Sequence, residues 1–243
     1  MKLNDDLYVL PLPMQMGGQS SQLNLSLLLD SANGPTLVDT SIPGQSDLLA
    51  AALAEAGLRV QDLTGVILTH QDIDHVGGLP DLVRASGARV YAHSTEVPYI
   101  DGTLPARFAT PAMLAQRPEM RALVEHFKWT PVDEPLEDGH HLDLAGGVRV
   151  IFTPGHTPGH MSLYLERSRT LITGDALSAT DGQLSGPSEQ ATMDMTEAAK
   201  SVQKLAKLDV QTIVCYHGGV VRDNANEQLQ RVAQSLAHSD HNL

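Results

Sequence analysis

Basic residues are scarce in this chain. Its 243 residues hold 16 Lys and Arg against 29 Asp and Glu, a formal net charge of −13, and the basic residues gather nowhere. Without a basic face there is nothing to neutralise a phosphate backbone, so nucleic acid is not expected as partner or substrate. Cysteine occurs once, at Cys215, which excludes an internal disulfide and leaves nothing to tie the chain to an oxidising compartment. A reducing cytoplasm is the expected location. No apolar run approaches the length of a membrane span, and Met1 to Asp6 carries acids where a secretion signal needs basic residues, so neither membrane insertion nor export is expected. Aromatic residues make up only 4%, with three Phe and one Trp. Against that scarcity eleven His stand out, and where they fall decides what they mean.

A length of 243 residues with 42% hydrophobic content suits one large α/β domain spanning 1–243. Short runs rich in β-branched residues, bounded by Gly, Pro, Asn or Asp, predict strands at Leu7 to Leu10, Leu23 to Leu29, Thr36 to Val38, Val66 to Thr69 and Arg89 to Ala92, then at Val148 to Phe152, Met161 to Leu165, Thr170 to Thr173 and Thr212 to Tyr216. Helical spacing runs over Gln45 to Glu55, Leu79 to Ala85, Pro111 to Phe127, Asp194 to Leu208 and Asn224 to Ala237. The early strands form a meander and helices enter between the later ones, which predicts sheets covered by helices and not a uniformly alternating barrel. Residues 98–138 break the pattern: they hold Pro98, Pro105, Pro111, Pro118, Pro131 and Pro135, two of the three Phe and the lone Trp129. Such an insertion reads either as a lid over the substrate or as a helical excursion packed on a sheet edge.

The histidines cluster with acids at strand ends. His70-Gln71-Asp72-Ile73-Asp74-His75 follows a predicted strand and precedes Gly77-Gly78 and a helix. Four potential ligands in six residues, imidazoles and carboxylates together, are what a divalent metal site needs. Pro154-Gly155-His156-Thr157-Pro158-Gly159-His160 supplies a second group on a loop that two Pro-Gly pairs make rigid. Asp175 and His217 end two further strands.

This order of motifs resembles that of the metallo-β-lactamase superfamily, over nearly the whole chain. A strand ending in an acid matches Leu37-Val38-Asp39-Thr40, the His-x-His-x-Asp-His signature matches His70, Asp74 and His75, the Pro-Gly-His signature matches His156, the bridging acid matches Asp175, and the last His matches His217. The resemblance implies an αββα sandwich with two divalent metal ions in a cleft at its edge. Carried over by position, His70, Asp72 and His156 would hold the first metal, Asp74, His75 and His217 the second, and Asp175 would bridge them. Asp39 would support a ligand from outside the coordination sphere. A water shared by the metals would become the nucleophile, because coordination lowers its pKa to about 7, with Asp74 orienting the hydroxide and the metals stabilising the oxyanion.

The chain departs from that pattern at Asp72, where the family carries its second histidine. A third carboxylate makes the site harder and more anionic, so manganese or iron becomes credible beside the zinc usual in the family. The alternative is that Asp72 turns away and one metal remains. The remaining histidines read as supporting or ordinary: His160 as an orienting or structural residue, His93 as an ordinary loop-end histidine with lining the cleft as the alternative, and His140, His141, His238 and His241 as solvated. Cys215 reads as a small buried apolar residue, and none of the five Tyr is selected as an oxyanion donor by the sequence. The segment Thr153 to Leu163 is similar to that of lactonases and glyoxalase II relatives, which implies a metal-dependent hydrolase of a small ester, lactone or thioester. Phosphodiester or phosphotriester hydrolysis is the alternative, with Arg107, Arg117 and Arg121 of the insertion as the candidate phosphate-binding cations; iron-dependent redox chemistry is a third reading, motivated by Asp72. The expected partner is a small-molecule substrate, and association as a homodimer is left open.

Overall fold

The computed structural model describes residues 1–16, 19–118 and 120–239. Two six-stranded sheets lie at its centre. The first runs in chain order, β1 (Leu7–Met16), β2 (Gln19–Leu28), β3 (Thr36–Val38), β4 (Gly65–Leu68), β5 (Arg89–His93) and β6 (Glu134–Leu136), with β1 to β3 antiparallel and β3 to β6 parallel. The second contains β7 (His141–Leu142), β8 (Val148–Phe152), β9 (Met161–Leu165) and β10 (Thr170–Ile172). After a separate hairpin, β11 (Ser178–Thr180) with β12 (Gln183–Ser185), it is completed by β13 (Thr212–Cys215) and β14 (Gly219–Val221). Its order is β14-β13-β10-β9-β8-β7, and the β10–β13 pair is its one parallel neighbour pair.

Alternation along the strands sorts side chains into three apolar layers. Val66 and Leu68 of β4 face one way, into a cluster with Leu49 and Leu53 of helix α1 (Ser46–Glu55). Ile67 between them faces the other way, meeting Leu163, Ile172 and Val214 of the second sheet. On the far side, Ile213 and Cys215 of β13 and Leu171 of β10 pack against buried helix residues, and Val214 alone of that β13 triplet turns inward. The short helices α2 (Ile73–Val76), α3 (Leu79–Ser86), α4 (Val97–Ile100), α5 (Pro111–Gln116) and α6 (Met120–His126) follow the first sheet, whereas α7 (Met195–Leu205) and α8 (Ala225–Ser239) cover the second, contributing Val202 and Leu229 to that outer core. Helix, sheet, sheet, helix is the αββα sandwich that the sequence implies.

Among the boundaries that differ from expectation, two have identifiable reasons. The first strand continues to Met16 across Pro11 and Pro13, which are exposed, on an edge strand where a missing N–H breaks no ladder. The single helix expected over Pro111 to Phe127 is two, α5 and α6, because Pro118 falls between them and cannot donate the helical hydrogen bond. The insertion is packed. Ile100, Ala106 and Phe108 are buried in the first core cluster, Phe108 lies 5.7 Å from Trp129 and 5.5 Å from Phe127 between ring centres, and β6 extends the first sheet.

Candidate metal centre

The chain segments that leave β3, β4, β8, β10 and β13 meet at one edge of the sandwich. Asp39, one residue past β3, is 1% exposed and adopts φ +62°, a left-handed conformation that Asp tolerates better than most residues. Its carboxylate accepts the Thr69 backbone N–H at 2.8 Å, the Thr69 hydroxyl at 2.9 Å and His75 Nδ1 at 2.9 Å. Because the Thr69 hydroxyl has a single proton and gives it to Asp39, its oxygen accepts from His70 Nδ1 at 3.0 Å. One buried acid thus places the Nδ1 proton of both His70 and His75, and turns both Nε2 atoms to the interior of the site.

There they have no hydrogen-bond partner. His70 Nε2, His75 Nε2 and Asp175 Oδ1 are all buried and unsatisfied among the described residues. Donor atoms of His70, His156 and Asp175 lie within 4.8 Å of one another, as do those of Asp74, His75 and His217. Asp175 stands between the two groups, Oδ1 3.3 Å from His75 Nε2 and Oδ2 3.5 Å from His156 Nε2 and 3.3 Å from His217 Nε2. Asp74 Oδ2 is 3.3 Å from His217 Nε2 and 3.9 Å from His75 Nε2. Six of the seven residues predicted as ligands therefore form two triads. The seventh, Asp72, lies beside the first with its carboxylate turned inward, Oδ2 3.2 Å from His156 Nε2 and 3.7 Å from His70 Nε2.

The electrostatics call for a cation. Burial disfavours a charged imidazole, yet the carboxylates of Asp39, Asp175 and Asp74 raise His75 well above its ordinary pKa, and Asp175 with Asp74 pushes His217 up to about 10. Protons on two histidines are then the positive charge that this cluster of acids demands, and a divalent metal would supply it in their place. Bare, convergent Nε2 atoms and carboxylates are a donor set that fits zinc, manganese or iron. His70, buried and beside His75, is held below the usual imidazole value, which keeps its Nε2 lone pair free.

Supporting residues complete the frame. His160 is buried and its pKa is held well down by burial and by His70 and His156. It accepts the Asp175 backbone N–H at Nε2 (3.1 Å) and is bonded to Thr153 through Nδ1, so it aims Asp175 without joining either triad. Tyr216 packs its ring 3.9 Å from that of His75 and donates its hydroxyl to the Asp74 carbonyl at 2.5 Å, while the Tyr164 hydroxyl goes to the Asp209 carbonyl. Neither is a free oxyanion donor. Cys215 is fully buried in the outer core, with its thiol pushed up to about 12 by burial. His93 is buried against Phe152 at 4.2 Å, and His140 and His141 are exposed. The expectation for His238 and His241 falls outside the residues whose side chains are described.

Glu96 escaped the motif reading. It is fully buried, its Oε1 accepts the Thr157 hydroxyl and the Gly159 N–H, both at 2.7 Å, and it thereby pins the His156 loop to the start of the insertion. Gly218, next to His217, adopts φ +100°, and a Cβ there would sit 1.7 Å from the Ala179 carbonyl oxygen. Gly218→Ala is expected to cost about 2–4 kcal/mol through strain and overlap with rigid backbone; urea denaturation followed by circular dichroism measures it, and a loss below about 0.5 kcal/mol would refute the packing described.

A four-layer α/β sandwich with two His/Asp triads gathered at its strand ends defines a metallohydrolase scaffold. The chain belongs to the metallo-beta-lactamase superfamily, whose sequence profile matches residues 23–217. It is 29% identical over 229 residues to "Probable metallo-hydrolase YflN" of Bacillus subtilis (strain 168), covering 83% of this chain and 82% of the relative. A hydroxyacylglutathione hydrolase of Fuscovulum blasticum is 30% identical over 191 residues, 78% of this chain and 59% of that protein. Among solved structures, a metallo-beta-lactamase family protein from Thermus thermophilus superposes with a TM-score of 0.73 at 30% identity, covering 99% of this chain and 81% of the other. Among the described residues no helix is long and apolar enough to cross a membrane.

Proposed function

We propose that the protein hydrolyses a small ester, lactone or thioester at a binuclear metal centre. The observation that carries this reading is the pair of triads, with Asp175 of the first also 3.3 Å from His75 and His217 of the second, and with three buried donor atoms, two imidazole nitrogens and one carboxylate oxygen, left without a hydrogen-bond partner among the described residues. In this reading His70, His156 and Asp72 belong to one metal, Asp74, His75 and His217 to the other, and Asp175 to both. Metals held there would supply a hydroxide nucleophile near neutral pH and an electrophile for the carbonyl oxygen. The protein's own part is to fix the donors: Asp39 and Thr69 set the His70 and His75 tautomers, His160 and its Thr153 partner aim Asp175, and Glu96 holds the His156 loop. Asp74 is the residue we assign to orient the attacking oxygen. Support for acyl over phosphoryl substrates comes from the relative whose name is hydroxyacylglutathione hydrolase.

Arg107 keeps phosphoester hydrolysis as a second reading, since of the three arginines named in the insertion it is the one whose side chain reaches a proposed ligand, Asp72 at 3.1 Å. A panel of thioesters, lactones, aryl esters and a bis-aryl phosphate, assayed after loading with Zn²⁺, Mn²⁺ or Fe²⁺, separates the two. Acyl substrates should turn over with at least one metal and stop with chelator. Faster turnover of the phosphate than of the aryl ester would favour the second reading, and inactivity on every acyl compound would refute the first.

A further inference from the structure

The acid at position 72 does not stand alone. Its Oδ2 lies 3.2 Å from His156 Nε2, 3.7 Å from His70 Nε2 and 3.1 Å from the guanidinium Nη1 of Arg107. Arg107 comes from the insertion, 35 residues further along the chain, and it is placed without help from Asp72. Its backbone N–H donates to Gln71 Oε1 at 2.8 Å, and Gln71 is 2% exposed. Its chain neighbours Ala106 and Phe108 are 0% and 5% exposed, with Phe108 locked between Phe127 and Trp129. The aromatic residues concentrated in this segment thus pin the short turn Arg107–Ala109 over the metal-binding loop. The Arg107 side chain is 23% exposed and that of Asp72 18%, so the ion pair lies at the rim of the site and partly out of water.

We propose that Arg107 is a positioning residue of the first metal position: it compensates and orients Asp72, and so permits a carboxylate to serve where relatives with the family signature use an imidazole. The inference rests on the binuclear reading above. Three carboxylates, Asp72, Asp74 and Asp175, converge in this site, and an imidazole-to-carboxylate exchange adds one negative charge that a fixed guanidinium offsets. A carboxylate offers about four lone-pair directions, so one N–H bond to Oδ2 leaves capacity for a metal. Without Arg107 the Asp72 carboxylate would keep, among the described residues, the His70 and His156 imidazoles as its ion-pair partners and would lose the contact that helps select its rotamer. Hydrogen-bonded partners of metal ligands commonly set affinity in this way, and their removal costs about 10–100-fold.

The test is titration of metal-free protein with Zn²⁺ against a competing chelator, repeated with Mn²⁺, on wild type, Arg107→Ala, Arg107→Lys and Asp72→Asn. Wild type should take up two equivalents. In Arg107→Ala one equivalent should weaken by about 10–100-fold while the other stays within about two-fold; Arg107→Lys, which keeps the charge and loses the planar fork, should recover part of the loss. Arg107→Ala added to Asp72→Asn should cost less than Arg107→Ala costs alone, because asparagine keeps an acceptor oxygen but no charge for the guanidinium to compensate. If the alanine variant does not fold, judged by its melting curve in chelator, Arg107→Gln takes its place. Unchanged affinity for both equivalents, equal weakening of both, or tighter binding in Arg107→Ala would overturn the proposal. Fewer than two equivalents in the wild-type protein would refute the binuclear reading itself, and that result needs no variant to recognise.

Discussion

Asp74→Ala is expected to lower kcat for the best acyl substrate of the panel by about 10²–10⁴-fold, the range associated with losing a positioned proton-handling group. The loss should not come from unfolding. Asp74 lies in α2, immediately after the loop that leaves β4, and its carboxylate faces His217 at 3.3 Å and His75 at 3.9 Å. What ties this turn to the second sheet is the backbone carbonyl of Asp74, which accepts the Tyr216 hydroxyl, and that bond survives removal of the side chain. In the metal-free protein its removal ends both the cost of burying its charge beside Asp175 and the attraction of His75 and His217, and these effects oppose each other. The melting temperature in chelator should therefore stay within a few degrees of wild type, whereas the metal-loaded protein should lose part of the stabilisation that bound metal confers. Steady-state kinetics on metal-loaded protein with a parallel thermal melt checks both, and near-wild-type kcat would remove Asp74 from the role assigned to it.

The ligand candidates were legible because the chemistry is written locally. His70 to His75, Pro154 to His160 and Gly174-Asp175 are short contiguous strings at strand ends, where side-chain type and turn chemistry are both visible in sequence. The supporting residues were less so. Asp39 was found by its place after a strand, but its grip on Thr69 and His75 spans 30 and 36 residues and depends on the parallel pairing of β3 with β4. Glu96 and Arg107 lie in or beside a segment whose periodicity is interrupted by prolines. Their significance comes from what tertiary packing brings over them, the His156 loop in one case and Asp72 in the other. Strands of two or three residues, such as β6, β7, β11 and β12, are too short to display an alternation, and only their partners define them.

Asp72 shows how these scales meet. The sequence marks it as a departure from the family signature and leaves two readings, ligand or bystander. The inward turn of its carboxylate and the guanidinium fixed above it belong to the fold, since they require the aromatic packing of Phe108, Phe127 and Trp129 to bring Arg107 back over the β4 loop. A substitution that looks isolated in the motif is therefore coupled to an insertion more than thirty residues away, and explaining one requires the other.

Asp39→Ala and Asp39→Asn should separate folding from tautomer control at the same position. Alanine removes the acceptor of three donors at a buried position, and places a residue poorly suited to φ +62° in a left-handed conformation. Breaking a buried charged network in this way costs about 3–5 kcal/mol, enough to threaten the fold of a domain whose whole stability is of order 5–15 kcal/mol. Asparagine keeps the shape, tolerates the backbone angle and can still accept the Thr69 N–H through its carbonyl oxygen. Its amide nitrogen then faces His75 Nδ1 as a donor, so Nδ1 must give up its proton, and the neutral ring carries that proton on Nε2 instead. Nε2 is the atom turned toward Asp175 and, on the reading proposed, toward the metal. Asp39→Asn is thus expected to melt close to wild type in chelator and to bind metal about 10–100-fold more weakly. Chelator-competition titration and thermal denaturation on both variants decide it: an asparagine variant with wild-type metal affinity would show that Asp39 only holds the loop together and does not set the state of His75.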